Sequence, residues 1–126
     1  MEKNEVIESV VQFIKSGDCS DIATLERIIH TDYKNLSGSL SPGNLTRGMN
    51  KSTYLQLVKS GKTGSDKRKV TFLKIEVNGN VAFSKVLLET QWKRMVSLII
   101  LVREQTYWYI IGSYPDIILG NSPYHH

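Results

Sequence analysis

Asn78 and Gly79 stand between two runs of alternating apolar and polar residues, one starting at Lys69 and one reaching from Asn80 to about Trp92. A period of two residues is typical of β-strands. Asn-Gly supplies the positive-φ residues that a tight hairpin turn requires, so the two runs should pair directly with each other. This dipeptide therefore predicts an antiparallel sheet in the second half of the chain.

Two further runs continue the same pattern, from Arg94 to Glu104 and from Tyr107 to Tyr114. Each follows its predecessor after about two residues, the usual length of a hairpin loop, so the whole region is predicted to form a meander. In the first strand the alternation is expected to place two sets of residues on opposite faces. The sets are Val70, Phe72 and Lys74, and Thr71, Leu73, Ile75 and Val77.

The first half of the chain shows helical spacing instead. Apolar residues recur at three- and four-residue intervals from Glu5 to Lys15, and Gly17 is expected to end this helix. A second helix, capped by Asp18, Ser20 or Asp21, should end near His30, and a third should begin after Asn50 or Ser52. Between them lie at most a short strand, around Tyr33 to Leu36, and a loop. The predicted fold class is α+β, with three N-terminal helices packed on an antiparallel sheet.

Length and composition fit one globular domain. The chain has 126 residues, of which 40% are hydrophobic and 22% charged, so residues 1–126 are expected to form a single domain. Its longest apolar stretch, Val96 to Val102, has about a third of the length of a membrane span. The first fifteen residues lack the pattern of a signal peptide, and the lone Cys19 fits a reducing compartment. A cytoplasmic location and no membrane partner are predicted.

The net charge of +4 permits nucleic-acid binding, but the basic residues are dispersed. The densest group, between Lys59 and Lys69, alternates with glycine, serine and threonine and contains no aromatic residue for base stacking. It reads as a solvated loop, and no nucleic-acid partner is predicted.

Two of the predicted strands are apolar on both faces, at Val86 to Leu88 and at Leu98 to Val102. One face can be covered by the helices. A large exposed apolar face is rare on soluble monomers, so a second copy of the chain is expected to cover the other. The sequence predicts a homodimer that forms through the sheet.

The order of these elements resembles the nuclear transport factor 2-like superfamily, also described as having a cystatin-like fold. The resemblance runs from about Val6 to Ser113 and rests on the helix–Gly17-Asp18–helix start, on His30 and Asp32, on Val77 to Ala82, and on Trp108 to Ile111. Within the superfamily the chain is similar to the small bacterial proteins called putative lumazine-binding or SnoaL-like.

This resemblance implies a cone-shaped fold, in which a strongly curved sheet wraps around a long helix and leaves a pocket between them, and in which dimers through the sheet are usual. The same cone serves isomerases, dehydratases, polyketide cyclases, ligand-binding proteins and protein-binding modules, so it does not select a function. Thr31 stands where relatives often have Pro or Asn, and no Asp occupies the general-base positions of the isomerase and cyclase relatives. Both differences argue against catalysis.

Two residues are candidates for acid–base chemistry. His30 titrates near neutral pH; its alternative role is to stabilise the end of the second helix, beside Asp32. Glu89 shares a strand face with Lys85 and Leu87, so it lies either in the pocket or in a cross-strand ion pair.

Aromatic residues are the candidates for binding a flat ligand, because their rings supply rigid contact area. They are Phe13, Tyr33, Tyr54, Trp92 and Trp108. Trp108 and Tyr109 must point to opposite faces of their strand, so only one of that pair can face a pocket, and Trp108 has the core as its alternative.

No metal-binding spacing of His, Cys, Asp and Glu occurs, and Gly61 to Gly64 lacks the spacing of a phosphate loop, so neither a metal nor a cofactor is predicted. His125 and His126 are either native or the remnant of a tag. The first hypothesis for function is a small-molecule binder with a mainly apolar pocket. The alternatives are an isomerase, dehydratase or cyclase that uses His30 or a sheet carboxylate, and a protein-interaction module.

Overall fold

A computed structural model describes residues 2–37, 47–61, 67–91 and 93–118. These residues form three helices, α1 (Glu2–Cys19), α2 (Ile22–Ile28) and α3 (Lys51–Lys59), and six strands. The strands are β1 (Ile29–Ser37), β2 (Arg47–Asn50), β3 (Lys69–Asn78), β4 (Val81–Glu89), β5 (Arg94–Glu104) and β6 (Tyr107–Ile118). The α+β class and the N-terminal helices are therefore confirmed.

The helix starts follow the predicted caps. The Asp21 side chain accepts a hydrogen bond from the Thr24 amide at the start of α2, and Asn50 does the same for Thr53 at the start of α3. The prediction that Gly17 ends the first helix is wrong, since α1 continues to Cys19. Gly17 is buried inside the helix, where its missing side chain leaves room for Tyr54.

The prediction that the second helix ends at His30 is wrong by two residues. The helix ends at Ile28, and His30 is already the second residue of β1, which is longer than the short strand expected from Tyr33. The carbonyls of Glu26 and Ile29 accept hydrogen bonds from Nζ of Lys51, at 2.7 and 2.8 Å. Lys51 at the start of α3, rather than His30, therefore supplies hydrogen bonds to the carbonyls at the end of α2.

The strands form one sheet in the order β2-β1-β6-β5-β4-β3. The meander from β3 to β6 is antiparallel, as predicted. The early strands extend it at the β6 edge, where β1 pairs with β6 in parallel. The sheet therefore contains both parallel and antiparallel pairs. β1 follows α2 in the chain and is not joined to β6 by a hairpin.

The hairpin turns determine the register. Asn78 pairs with Val81, so the β3–β4 loop consists of Gly79 and Asn80, and Gly79 takes the positive φ of +63°. Asn78 itself is the last paired residue of β3. The expectation that β4 reaches about Trp92 is wrong: the strand ends at Glu89, opposite Arg94, and the Thr90 amide bonds to the Lys93 carbonyl. Trp92 lies outside the described residues.

A bulge in β3 corrects the predicted faces of that strand. The register shifts between Phe72 and Lys74, so Ile75 and Val77 join Val70 and Phe72 on the face that packs against the core. Leu73 is left 50% exposed. Strict alternation could not show this, because one extra residue reverses every later position.

The helices cover one face of the sheet, here called the inner face. It contributes Ala82, Val86, Leu88, Ile99, Leu101 and Ile110 to a core that also holds Val6, Val10, Phe13 and Ile14 of α1. The opposite, outer face carries no helix among the described residues, yet most of its side chains are apolar. No helix in the described parts of the chain has the length and hydropathy of a membrane span.

Candidate functional site

Three serines interrupt the apolar inner face of the sheet. Ser84 in β4 and Ser113 in β6 both pair with Ile99 of β5, so they share one cross-strand row, about 10 Å apart. Ser97 lies on β5 opposite Val86, one residue pair further along the same face. All three are buried, at 0%, 4% and 2% exposure for Ser84, Ser113 and Ser97. They form a hydroxyl triangle beneath the helices.

The Ser84 hydroxyl has no hydrogen-bond partner among the described residues. Buried hydroxyls are nearly always paired, because burial without a partner costs about 1–3 kcal/mol. Ser113, by contrast, hydrogen-bonds the Tyr33 hydroxyl. Ser84, together with Nε1 of Trp108 at the other end of this face, therefore has an unmet capacity to bind a polar atom.

Three of the predicted ligand-binding residues form one aromatic cluster, although they come from different elements. Phe13 of α1 lies 6.1 Å from Tyr33 of β1 and 5.8 Å from Tyr54 of α3, measured between ring centroids. The two tyrosine rings are 5.5 Å apart. All three residues are at least nine-tenths buried. The cluster thus lies in the interior, beside the hydroxyl triangle.

The Tyr33 hydroxyl links the cluster to the sheet. It accepts a 2.9 Å hydrogen bond from Nδ2 of Asn35, which pairs with Ser113 across the parallel β1–β6 ladder. Burial raises the pKa of Tyr33, the neighbouring Tyr54 raises it further, and the bonds from Asn35 and Ser113 partly oppose the shift. Tyr33 is thus held neutral, as a polar group that already has its partners.

Tyr54 faces an ion pair at the other side of the cluster. The Asp18 carboxylate accepts hydrogen bonds from the Arg68 main-chain amide, at 3.1 Å, and from Nε of its guanidinium, at 2.8 Å. The Asp18 side chain is 4% exposed and that of Arg68 is 22% exposed. Burial raises the pKa of Tyr54 to about 12, against a smaller opposing effect of Arg68. Part of the basic loop is therefore not solvated, since Arg68 neutralises a buried carboxylate.

His30 lies at the β5–β6 hairpin. Its Nε2 is 3.0 Å from Oε2 of Glu104, and its Nδ1 accepts a 3.0 Å hydrogen bond from the Asp32 amide. With Nδ1 as the acceptor, the tautomer that fits both contacts is the one that donates from Nε2 to the carboxylate. The ring edge also contacts Tyr109. These contacts do not bring His30 to the hydroxyl triangle or the aromatic cluster.

Glu89 lies at the end of β4, on the outer face with Leu87. Its carboxylate is 3.4 Å from Nε of Arg94, the residue opposite it in β5. The geometry thus shows the cross-strand ion pair rather than a position in the inner face. The catalytic roles of His30 and Glu89 stay predictions.

Trp108 is 5% exposed and lies on the inner face, and its Nε1 has no hydrogen-bond partner among the described residues. The guanidinium of Arg103 lies 5.3 Å from its ring centroid. One edge of Trp108 borders a surface cleft of about 640 Å³ between α1, the end of α2 and the start of β6. The cleft is lined by Glu5, Glu8, Ser9, Gln12, Arg27, Ile28, Thr106, Tyr107, Trp108 and Tyr109. This lining is half polar, so it does not match the predicted apolar pocket.

The serines, Asn35 and the Asp18–Arg68 pair were not predicted as site residues. A serine within an apolar strand run, as in Val81 to Leu88 and Met95 to Val102, is the signal that could have identified the hydroxyls. Asp18 and Arg68 are 50 residues apart, and no local pattern connects them. Among the described residues no group of His, Cys, Asp and Glu could hold a metal ion.

Comparison with known proteins agrees with this architecture. Residues 1–114 match the family model described as "Putative lumazine-binding". No curated protein matches the chain.

Solved structures show the same fold at low sequence identity. An NTF2-like protein of unknown function from Silicibacter pomeroyi has a TM-score of 0.76 at 12% identity, covering 91% of this chain and 94% of its own. A ketosteroid isomerase-like protein from Erwinia carotovora atroseptica has a TM-score of 0.76 at 13% identity, covering 97% and 98%. A protein with a cystatin-like fold from Nostoc punctiforme has a TM-score of 0.73 at 13% identity, covering 92% and 90%. The chain therefore has the NTF2-like cone fold.

Proposed function

The chain belongs to the putative lumazine-binding family, and we propose that it binds an uncharged small molecule on the inner face of its sheet, between β3–β5 and the helices. The observation that carries this proposal is the Ser84 hydroxyl, fully buried and without a partner among the described residues. A ligand carbonyl or ring nitrogen that accepts from this hydroxyl would remove the cost of its burial.

The surroundings of Ser84 suit a flat, largely apolar body. Beyond it, in the edge strand β3, the inner face carries Val70, Phe72, Ile75 and Val77, which are all only partly buried, as is Met95 of β5. Ser97 offers a second hydroxyl one residue pair away. An apolar surface with few polar groups is the usual composition of a ligand site.

The charge of this region argues for a neutral ligand. The buried charges near the aromatic cluster are Asp18 and Arg68, which neutralise each other at 2.7 Å. An unpaired charge on the ligand would therefore be buried without a counter-charge, which is costly. Pterins and steroids meet this requirement, whereas a fatty acid carboxylate does not.

An isomerase, dehydratase or cyclase activity is the second candidate, and less supports it. A general base needs a carboxylate or imidazole that is free to take a proton within reach of a substrate. Asp18 is the buried carboxylate among the described residues, but it is already paired with Arg68. It contacts Nε and Nη2 of the guanidinium and accepts a hydrogen bond from the main-chain amide of the same residue. The tyrosines could polarise a carbonyl, but the described inner face offers them no free base.

We further propose that the protein forms a homodimer through the outer face of the sheet. This face carries Val81, Phe83, Leu87, Val96, Leu98, Ile100, Val102 and Tyr114, which are all partly or largely exposed in the single chain. Lys74, Glu76 and Lys85 lie on its β3–β4 side. A two-fold axis would place the apolar residues of two copies against each other, so the face is suited to a second copy of itself. A protein-interaction module would place a different chain there. The cytoplasmic location stays a prediction.

A thermal-shift screen tests the binding proposal. The probes are lumazine and other pterins, riboflavin, steroids and fatty acids, since a ligand of the native state raises the melting temperature. We expect a neutral ring compound to raise it and fatty acids to leave it unchanged.

The Ser84→Ala variant then locates the site. Loss of one hydrogen bond should weaken binding of the screened compound about five- to tenfold, while the stability of the free protein stays the same or rises. Ser52→Ala, at an exposed position on α3, is the matched control. The proposal fails if no compound binds, or if Ser84→Ala binds as tightly as the control.

A further inference from the structure

The tip of the β3–β4 hairpin places an asparagine directly before a glycine, and this pair is chemically reactive as well as structural. Asn78 and Gly79 are both exposed. In such a pair the main-chain nitrogen of the glycine can attack the side-chain amide carbon of the asparagine, because glycine has no side chain to hinder the approach. We propose that Asn78 is a site of deamidation, a covalent modification that gives this hairpin an additional negative charge.

The reaction needs water and no other reagent. The Gly79 nitrogen gives up its proton and forms a bond to Cγ of Asn78, the bond between Cγ and Nδ2 breaks, and Nδ2 leaves with that proton as ammonia. The product is a succinimide ring. Water then opens the ring at either carbonyl carbon, which yields aspartate or isoaspartate at position 78. In isoaspartate the main chain runs through Cγ and is longer by one carbon atom.

The surroundings of Gly79 leave its nitrogen accessible. Gly79 has a φ of +63°, and a Cβ atom on it would meet nothing within 4 Å apart from its chain neighbours. Its amide forms no hydrogen bond within the parts of the chain that the structure describes. The attack on Asn78 therefore does not require that a hydrogen bond of the Gly79 nitrogen be broken first.

Asn80, in the same turn, serves as an internal comparison. Its Oδ1 accepts a 3.1 Å hydrogen bond from Nε of Arg103, which restrains the side chain. The residue that follows it is Val81, whose branched side chain hinders attack by the main-chain nitrogen. We therefore expect Asn78 to be modified while Asn80 stays intact.

The contact between Asn78 and Glu76 gives the modification a structural consequence. Nδ2 of Asn78 donates a 2.9 Å hydrogen bond to Oε2 of Glu76. After deamidation a carboxylate replaces the amide, so two negative charges stand where the hydrogen bond was. Nζ of Lys74, 3.9 Å from the Glu76 carboxylate, offsets part of this repulsion. The modified hairpin should be less stable than the original one.

The test is incubation of the full chain in mildly alkaline buffer at physiological temperature, followed by peptide mass spectrometry and an enzymatic assay for isoaspartate. We expect aspartate and isoaspartate to accumulate at position 78, with release of ammonia, while Asn80 and the buried Asn35 stay intact. Asn78→Gln is the matched control, because its longer side chain would have to close a larger ring, and it should stay unmodified.

A second measurement tests the consequence. Asn78→Asp should melt about 2 °C below the wild type, and this difference should disappear when both proteins carry Glu76→Gln. Equal melting temperatures of Asn78→Asp and the wild type would refute the destabilisation. The proposed site itself is refuted if Asn80 reacts as fast as Asn78, or if Asn78 stays intact while a peptide of the sequence from Val77 to Val81 is deamidated under the same conditions.

Discussion

The Tyr54 hydroxyl oxygen lies 3.1 Å from the point that a Cβ atom on Gly17 would occupy. Such a distance is shorter than an ordinary van der Waals contact, so a side chain at position 17 would displace Tyr54. The tyrosine cannot retreat easily, because its ring packs against Phe13 and Tyr33. Gly17 is therefore a packing requirement of the α1–α3 contact and not a helix terminator.

We predict that Gly17→Ala lowers the free energy of unfolding by about 1 kcal/mol. Alanine favours a helix over glycine by about 1 kcal/mol, but overpacking a filled interior costs about 1–3 kcal/mol. Urea denaturation, monitored by circular dichroism, measures the difference.

A second background separates the two effects. In Tyr54→Phe the hydroxyl is gone, so Gly17→Ala should raise the free energy of unfolding by about 1 kcal/mol. If Gly17→Ala stabilises the protein equally in both backgrounds, the contact with Tyr54 has no energetic role.

The Asp18–Arg68 pair connects the end of α1 to the start of β3. We predict that Arg68→Met lowers the free energy of unfolding by about 3 kcal/mol, because it leaves the nearly buried Asp18 carboxylate without its counter-charge. Urea denaturation at neutral pH measures this loss.

The double variant Asp18→Leu/Arg68→Met is the control. Replacing both members of a buried pair by apolar residues is often neutral, so the double variant should be more stable than Arg68→Met alone. Equal instability of the two variants would mean that the pair acts through packing and not through charge.

Short-range patterns in the sequence predicted much of this fold. The β3–β4 hairpin marked by Gly79, the period of two residues and the caps Asp21 and Asn50 each depend on neighbours a few residues away. β5 has the predicted bounds for the same reason. The bulge at Leu73 is different, since no residue type in β3 marks the point where its pairing with β4 shifts.

The site was harder to predict from the sequence, because it is formed by residues that are far apart along the chain. Phe13, Tyr33 and Tyr54 were predicted as ligand residues, and the structure brings them together. Their partners Asp18, Arg68 and Ser113 are distant in sequence, and each has an ordinary local role as a cap, a loop residue or a strand residue. Gly17 shows the same difficulty. Its sequence neighbourhood predicts a helix end, whereas in the structure it allows close packing of Tyr54 against α1.

The two buried tyrosines should make the protein sensitive to alkali. Burial raises the pKa of Tyr54 from 10.0 to about 12 and raises that of Tyr33 as well, so the unfolded chain loses these protons at lower pH than the folded one. Their contribution to stability is complete below pH 10 and is lost as the pH rises from 10 towards 12. We predict that the free energy of unfolding falls in this window by up to about 1.4 kcal/mol per pH unit for each tyrosine.

Measurement of urea denaturation from pH 9 to 11.5 tests this, together with the ultraviolet absorbance of tyrosinate. Tyr54→Phe should reduce the slope, whereas Tyr107→Phe, at an exposed position, should not change it. A slope that is the same in Tyr54→Phe and in the wild type would contradict the prediction.

The proposed dimer predicts that one charge at the centre of the outer face prevents association. Leu98 lies on β5, opposite Lys85 of β4 and Tyr114 of β6. Leu98→Glu leaves the monomer core untouched but would bury a carboxylate between two copies, so we expect the dissociation constant to rise at least about tenfold. Sedimentation velocity at micromolar concentration should show a dimer for the wild type and for Lys59→Glu, an exposed control on α3, and a monomer for Leu98→Glu. A monomeric wild type at that concentration would refute the dimer and leave the outer face for a different chain.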